Sequence, residues 1–207
     1  MTDDRGIKVV LLGEAGVGKT NLIRVSMGKT FEKNVDSTIS SAFYDSKIDY
    51  KEKSYQYCIW DTAGQEVYRS LNKIFIKDSK IVIIVFSIID RDSFTNVDFW
   101  INYVKEILAN DSYIMAVVGN KIDLYDDQQI GDEEIENKFK GLDLKYKITS
   151  AASDGQGFKK FLNELLKEYI DKYKPEETKL SDSFMIKQNK HKQNKKKEKE
   201  KEDGKCC

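Results

Sequence analysis

The sequence predicts an α/β fold in which a mostly parallel six-stranded sheet, with one antiparallel edge strand, carries helices on both faces. Two observations lead to this fold class. Residues 81–86 and 113–118 are continuous apolar runs, which is typical of strands covered on both faces. Residues 94–108, between them, place apolar side chains at helical spacing. Strands that alternate with helices in this way predict parallel pairing through helical crossovers.

The other elements follow from the same periodicities, taken in chain order. An apolar, β-branched run predicts a buried strand, and apolar side chains three and four residues apart predict a helix. Two strands on either side of the polar segment 50–54 predict the antiparallel edge hairpin. The strands are predicted at residues 7–12, 42–49, 55–60 and 145–148, and the helices at residues 21–25 and 158–173.

The composition divides the chain into one domain and a tail. Its 207 residues contain a single proline, Pro175, which follows the last predicted helix. We therefore predict a domain at residues 1–174 and a flexible tail at residues 175–207. From Ser181 onward the tail has nine lysines, five acidic residues and too few apolar side chains to fold. Since the formal net charge of the whole chain is zero, the domain is acidic on balance, which argues against nucleic-acid binding.

A Gly-rich turn joins the first predicted strand to the first predicted helix. Residues 13–20 match the pattern G-x-x-x-x-G-K-[ST], and the strand before and the helix after are the context that this motif requires. Backbone N–H groups in such a turn surround phosphate oxygens, Lys19 would reach the β- and γ-phosphates, and the Thr20 hydroxyl would hold Mg²⁺. A chance Gly-rich turn is the alternative, and the context argues against it. The motif predicts a P-loop NTPase fold with nucleotide contacts from Glu14, Ala15, Gly16, Val17, Gly18, Lys19, Thr20 and Asn21.

A second motif follows the third predicted strand, at the same edge of the sheet. Residues 60–66 are Trp-Asp-Thr-Ala-Gly-Gln-Glu. Asp61 could hold Mg²⁺ through water, the N–H of Gly64 could meet a γ-phosphate, and Gln65 could orient the attacking water. A hairpin end without a function is the alternative, and its position after the phosphate motif argues against it. The motif therefore predicts that a γ-phosphate is both sensed and hydrolysed here.

Two further signals, again at strand ends, concern the base. A carboxylate at Asp123 can accept hydrogen bonds from N1–H and the exocyclic 2-amine of guanine. At those positions adenine offers an acceptor and no amine, so this residue would reject adenine. The stem of Lys121 can cover one face of the ring, and a backbone N–H of residues 149–151 can donate to guanine O6. The predicted base contacts are Asn120, Lys121, Asp123, Leu124, Ser150, Ala151 and Ala152.

This constellation resembles the Ras superfamily of small GTPases and, within it, the Rab family. The resemblance covers roughly residues 6–173 and the two terminal cysteines. Proteins of the Ras branch usually end in C-a-a-X, Rho proteins carry an insert before the last strand, and Arf proteins need glycine where this chain has Thr2. The residues that favour the Rab family are Ser37-Thr38-Ile39, Phe43, Trp60, Tyr68-Arg69-Ser70-Leu71 and Cys206-Cys207.

The resemblance implies a GTP/GDP switch that recruits effectors in vesicle trafficking. Phe31 would lie edge-on to the guanine, and Thr38 would join Thr20 and Asp61 as a Mg²⁺ ligand. Gln65 and Lys19 would catalyse a slow hydrolysis of GTP. Two switch segments, at about residues 33–43 and 64–77, would contact effector proteins, an exchange factor and a GTPase-activating protein.

The resemblance also implies attachment to a membrane. Cys206 and Cys207 would be prenylated, with a prenylating enzyme and a prenyl-binding chaperone as partners. The protein is then expected on the cytoplasmic face of intracellular membranes, cycling with the cytosol. Of three cysteines only Cys58 is internal, so no disulfide framework is predicted and a reducing compartment is the default.

Three alternatives stay open on the residues. A P-loop kinase would need a lid and an acceptor site, and residues 120–123 argue against it. A GTP-binding scaffold with little or no hydrolysis is disfavoured by Gln65 but left open by Ala15, which stands where Ras has a glycine. A soluble switch results if the terminal cysteines are not prenylated. Ser40, where Rab proteins have glycine, leaves the Rab subfamily open.

Overall fold

The structure, a computed structural model, describes residues 6–33, 42–62 and 69–173, with the backbone alone at residues 69–72. The strands in this part of the chain are β1 (Ile7–Leu12), β2 (Ala42–Tyr50), β3 (Lys53–Asp61), β4 (Ile81–Ser87), β5 (Ile114–Asn120) and β6 (Lys145–Ile148). The α-helices there are α1 (Lys19–Ser26), α2 (Arg69–Ile76), α3 (Arg91–Thr95), α4 (Val97–Ile107), α5 (Asp132–Phe139) and α6 (Gly155–Tyr173), and a 3₁₀ helix spans Ile122–Asp127.

The strands form one six-stranded sheet in the order β2-β3-β1-β4-β5-β6. Only the β2–β3 pair is antiparallel among the strand pairs of the described residues, and it places β2 at an edge. The central strand β1 pairs Leu11 with Asp61 of β3 and Leu12 with Ile84 of β4. The predicted fold class is confirmed.

The two faces of the sheet carry separate apolar clusters, because successive side chains of a strand point to opposite faces. Val9 and Leu11 of β1 lie in the cluster that includes the buried apolar residues of α1 and α6. Val10 and Leu12 lie in the other cluster, with Trp100 of α4 and residues of α3 and α5. The sheet is therefore covered by helices on both faces, and the carboxyl ends of its parallel strands lie along one edge.

The β2–β3 hairpin is longer than predicted, and its turn is shorter. Tyr50 pairs with Lys53, so only Lys51 and Glu52 form the turn. Their φ angles are 50° and 63°, as a two-residue hairpin turn of type I′ requires at both central positions. This turn lacks the Asn-Gly or Asp-Gly sequence that normally indicates it, which is why the polar segment 50–54 was predicted as a longer loop.

The helical stripe predicted at residues 94–108 is divided in two. α3 begins one turn earlier, since the Asp90 side chain accepts a hydrogen bond from the Ser93 N–H (3.1 Å) and caps it. Asn96 separates α3 from α4. The domain boundary predicted after residue 174 lies outside the described residues and stays a prediction. Among the described residues, no helix is both long and apolar enough to span a bilayer.

Candidate nucleotide-binding site

The predicted motifs come together at the carboxyl edge of the sheet. The Gly-rich turn follows β1, Thr62 follows Asp61 at the end of β3, and Asn120 is the last residue of β5. Residues 149–151 come directly after β6, which is the neighbour of β5. Because the carboxyl ends of parallel strands share one edge, four segments distant in sequence surround one site.

Two glycines of the turn occupy positions that a side chain would not tolerate. At Gly13, with φ of 134°, a Cβ would lie 2.1 Å from the main-chain oxygen of Val85. At Gly18, with φ of 98°, a Cβ would lie 2.3 Å from Nδ2 of Asn120. The glycines therefore let the turn pass close to β4 and to the end of β5, and α1 begins immediately afterwards at Lys19.

Lys19 is a buried ammonium held by the turn itself. Its side chain is only 6% exposed, and Nζ donates to the main-chain oxygens of Gly13 (2.9 Å) and Glu14 (2.8 Å). Burial lowers the pKa of Lys19 to about 8, against the attraction of Asp61 and Glu14, which raises it. A buried cation in the first turn of a helix is suited to an anionic ligand.

Thr20 and Asp61 lie side by side and fit a divalent cation. The Thr20 hydroxyl donates to Oδ2 of Asp61 (2.7 Å). Within the described residues, Oδ1 of Asp61 is buried without a hydrogen-bond partner, a costly state for a carboxylate oxygen. Burial raises the pKa of Asp61, although the Thr20 hydrogen bond and the Lys19 charge lower it. Hard oxygen ligands of this kind are those that Mg²⁺ prefers, so the residues present fit the metal.

Asn120 joins the phosphate side of the site to the base side. Its Nδ2 donates to the main-chain oxygen of Val17 (2.8 Å), and its Oδ1 accepts from the Ala151 N–H (3.0 Å). The side chain is 1% exposed. Asn120 thus fixes the Gly-rich turn, β5 and the loop after β6 relative to one another, a role that the sequence alone did not indicate.

The residues predicted to read the base also contact each other. The Ser150 hydroxyl donates to Oδ1 of Asp123, and Ser150 Oγ accepts from the N–H groups of Ala152 and Ser153 (3.0 Å each). Lys121 has a φ of 72° and is half-buried, and this burial lowers its pKa, whereas Asp90 and Asp123 raise it. The sequence had assigned residues 149–151 a backbone role only, and the structure adds the Ser150 side chain as the support of Asp123.

Asn21 differs from the other residues of the first motif because its side chain is engaged elsewhere. Nδ2 donates to the main-chain oxygen of Glu32 (2.8 Å), and Oδ1 accepts from the Glu32 N–H (3.2 Å). These bonds hold the segment that contains Phe31, whose ring is 41% exposed. Any contact of Asn21 with phosphate would therefore come from its main-chain N–H.

The other predicted site residues have simpler surroundings. Ala15 and Gly16 are exposed at the tip of the turn, Leu124 is exposed in the 3₁₀ helix, and Ala152 is exposed after β6. Cys58 is buried in β3. The predicted residues Thr38, Gly64, Gln65, Cys206 and Cys207 lie outside the described residues.

Trp100 lies in the apolar stripe of residues 94–108, and it also contacts this region. Its indole Nε1 donates to Oε1 of Glu14 (3.1 Å), so α4 contacts the phosphate turn directly. The neighbouring Phe99 is 40% exposed and stacks on Tyr103. A separation of 86 residues between Trp100 and Glu14 leaves no pattern that sequence periodicity could detect.

Comparison with known proteins gives a consistent result. Residues 8–171 match the Ras family. Ras-related protein Rab-21 of Canis lupus familiaris is 36% identical over 165 residues, which cover 79% of this chain and 73% of that protein. Rab-21 of Homo sapiens is also 36% identical over 165 residues, which cover 72% of that protein. Rab-21 of Geodia cydonium is 34% identical over 168 residues, which also cover 72% of that protein. The chain therefore belongs to the Ras family and, within that superfamily of small GTPases, to the Rab proteins.

Proposed function

We propose that this Rab-family GTPase is a membrane-attached, Mg²⁺-dependent switch that hydrolyses GTP slowly and recruits effectors to vesicles in its GTP state. The proposal is supported most by the hydrogen bonds of the Asn120 side chain. They join the phosphate turn, at Val17, to the loop predicted to contact the base, at Ala151. A nucleotide placed across these two loops would contact Lys19 with its phosphates and Asp123 with its base. The Rab-21 relatives support a role in trafficking.

In this proposal, hydrolysis depends on charge and position. Lys19, held by the Gly13 and Glu14 carbonyl groups, supplies a fixed positive charge to the phosphates. Thr20 and Asp61, with Thr38 as predicted from the sequence, would hold Mg²⁺, which when bound neutralises phosphate charge. Gln65 would orient the attacking water. No arginine is assigned to the reacting phosphate in this sequence, so a GTPase-activating protein would supply a contribution of roughly 10³–10⁵ in rate.

The switch would consist of two segments, at about residues 33–43 and 64–77. Thr38 and the N–H of Gly64 would contact the γ-phosphate and its Mg²⁺, and hydrolysis would release both segments. The second segment follows Asp61 and Thr62 almost directly in the sequence. The exchange factor, the activating protein and the effectors would bind to these two segments, because the conformation of the segments would differ between the GTP and GDP states.

An aromatic surface beside the switch segments is suited to effectors. Phe43 is 49% exposed, and its ring lies 5.7 Å from that of the half-buried Trp60, which in turn lies 5.6 Å from Phe75. Exposed aromatic side chains supply large contact area in protein interfaces. Phe43 and Trp60 thus belong to the proposed effector surface, and Tyr68, which also favours the Rab family, lies outside the described residues.

The hydrolysis proposal predicts a slow rate that depends on Gln65. Intrinsic single-turnover hydrolysis of GTP should proceed at about 10⁻⁴–10⁻² s⁻¹, and Gln65→Leu should slow it by about tenfold or more, because leucine cannot orient water. The measurement is phosphate release from preloaded protein. Gln56→Leu, at an exposed position of β3, is the matched control and should hydrolyse GTP like the unmodified protein. A hydrolysis rate that Gln65→Leu does not change would mean that another group orients the attacking water. If the unmodified protein hydrolyses no GTP, the protein would instead be a GTP-binding scaffold.

A further inference from the structure

We propose that Trp100 is a positioning residue that withholds the Glu14 carboxylate from Lys19 and so leaves the Lys19 ammonium available to phosphate. Trp100 is 1% exposed on α4, and its Nε1 donates to Oε1 of Glu14 over 3.1 Å. This inference rests on the proposed nucleotide site. It assigns a role in nucleotide retention to a residue of the core that does not touch the nucleotide.

The argument starts from the charge of Glu14. A carboxylate within a phosphate-binding turn repels phosphate and attracts the buried Lys19 ammonium that would bind phosphate. Glu14 lies five residues before Lys19 in the same turn. In addition, the main-chain oxygen of Glu14 accepts from Lys19 Nζ (2.8 Å), so the two residues are neighbours in the turn.

The indole N–H restrains this carboxylate by a charge-assisted hydrogen bond. Trp100 itself is fixed, because it lies in the apolar cluster with Val10 and Leu12 of β1, the strand that ends at the turn. A side chain with this little exposure has few alternative rotamers. The Glu14 carboxylate is therefore held at the core side of the turn, on a group that moves little.

The test is the rate at which a fluorescent GDP analogue dissociates in the presence of Mg²⁺, measured in two backgrounds. Trp100→Phe keeps an aromatic ring but removes the donor, so the freed carboxylate can pair with Lys19, and dissociation should be about tenfold faster. In a Glu14→Ala background, the same Trp100→Phe change should accelerate dissociation by less than about twofold, because no carboxylate remains to compete. Phe139→Leu, which removes another aromatic ring of the same apolar cluster, is the control for a loosened core. It should release the GDP analogue at the same rate as the unmodified protein.

The outcomes separate this inference from the proposed function. Equal acceleration by Trp100→Phe in both backgrounds, or no acceleration in either, would overturn the role assigned to Trp100 while leaving nucleotide binding intact. Failure of the unmodified protein to retain the GDP analogue would instead overturn the proposed function, and this inference with it.

A second measurement leaves Trp100 unchanged, in case Trp100→Phe does not fold. The chain has two tryptophans, Trp60 and Trp100, so their indole N–H resonances can be assigned by NMR. Glu14→Ala should shift the Trp100 indole resonance and speed its exchange with solvent, and it should leave that of Trp60 in place. An unmoved Trp100 resonance would overturn the inference.

Discussion

Lys19→Ala should weaken the binding of GDP and GTP by at least about 30-fold and by up to several thousandfold, since truncating one partner of a buried charge pair costs roughly 2–5 kcal/mol. The Lys19 ammonium is 6% exposed and is held between the main-chain oxygens of Gly13 and Glu14. Without it, the phosphates would lose their fixed cation. The measurement is displacement of a fluorescent GDP analogue at constant Mg²⁺.

The free protein should tolerate this change. Burial lowers the pKa of Lys19 to about 8, which means that the fold alone disfavours the charged form of this side chain. An anionic ligand would offset that cost, so the loss should fall on affinity and far less on the melting temperature of the nucleotide-free protein. Lys145→Ala is a suitable control, because Lys145 is an exposed lysine that pairs with Glu168. An affinity for GDP that falls no further in Lys19→Ala than in Lys145→Ala would contradict the phosphate site.

Replacing both Cys206 and Cys207 by serine should move the protein entirely from membranes to the cytosol. One lipid chain gives only marginal membrane binding, and stable attachment takes two signals. The sequence offers two terminal cysteines and a cluster of three lysines at residues 195–197, each lysine adding roughly 1 kcal/mol at an anionic leaflet. Since Glu198, Glu200, Glu202 and Asp203 interrupt the basic charge next to the cysteines, the lipids should dominate.

Cell fractionation separates the two contributions to attachment. Neutralising the three lysines at residues 195–197 should reduce or redistribute the membrane pool without abolishing it, whereas the double serine variant should abolish it. Single serine variants show whether one lipid suffices. Full membrane retention of the double serine variant would refute the lipid anchor.

Much of the fold could be predicted because its signals are local. The buried strands β4 and β5 are continuous apolar runs, and the motif at residues 13–20 requires a strand before it and a helix after it. Three elements went unpredicted. One of them, α2, lies within residues 64–77, which the sequence analysis assigned to a switch segment, and the other two have weak local signals. The 3₁₀ helix Ile122–Asp127 has no buried residue, and α5 buries only Ile135 and Phe139 in an otherwise charged sequence.

The candidate site was predicted as four segments, but not the contacts between them. Motif spacing indicated that residues 13–20 and 120–123 would meet, since both follow strands of one sheet. It did not indicate that Asn120 bonds Val17 and Ala151, that Ser150 supports Asp123, or that Trp100 reaches Glu14. These bonds join residues from 27 to 103 positions apart, so they depend on how the helices pack on the sheet, which no short sequence pattern encodes.

Selectivity for guanine is the most direct test of the central claim, which is that this sheet edge binds a guanine nucleotide through Asp123. The Ser150 hydroxyl holds Oδ1 of this carboxylate, and Asp123→Asn keeps an acceptor for that bond while removing the charge. The measurement is competition of GDP, ADP and XDP against a bound fluorescent GDP analogue. In the unmodified protein GDP should compete roughly 10⁴-fold better than ADP, because adenine leaves the carboxylate unpaired. Asp123→Asn should weaken the binding of GDP by roughly 1.5–3 kcal/mol. The variant should bind XDP in preference to GDP, because the amide can donate to the xanthine 2-oxygen. Equal competition by ADP and GDP against the unmodified protein would contradict the account.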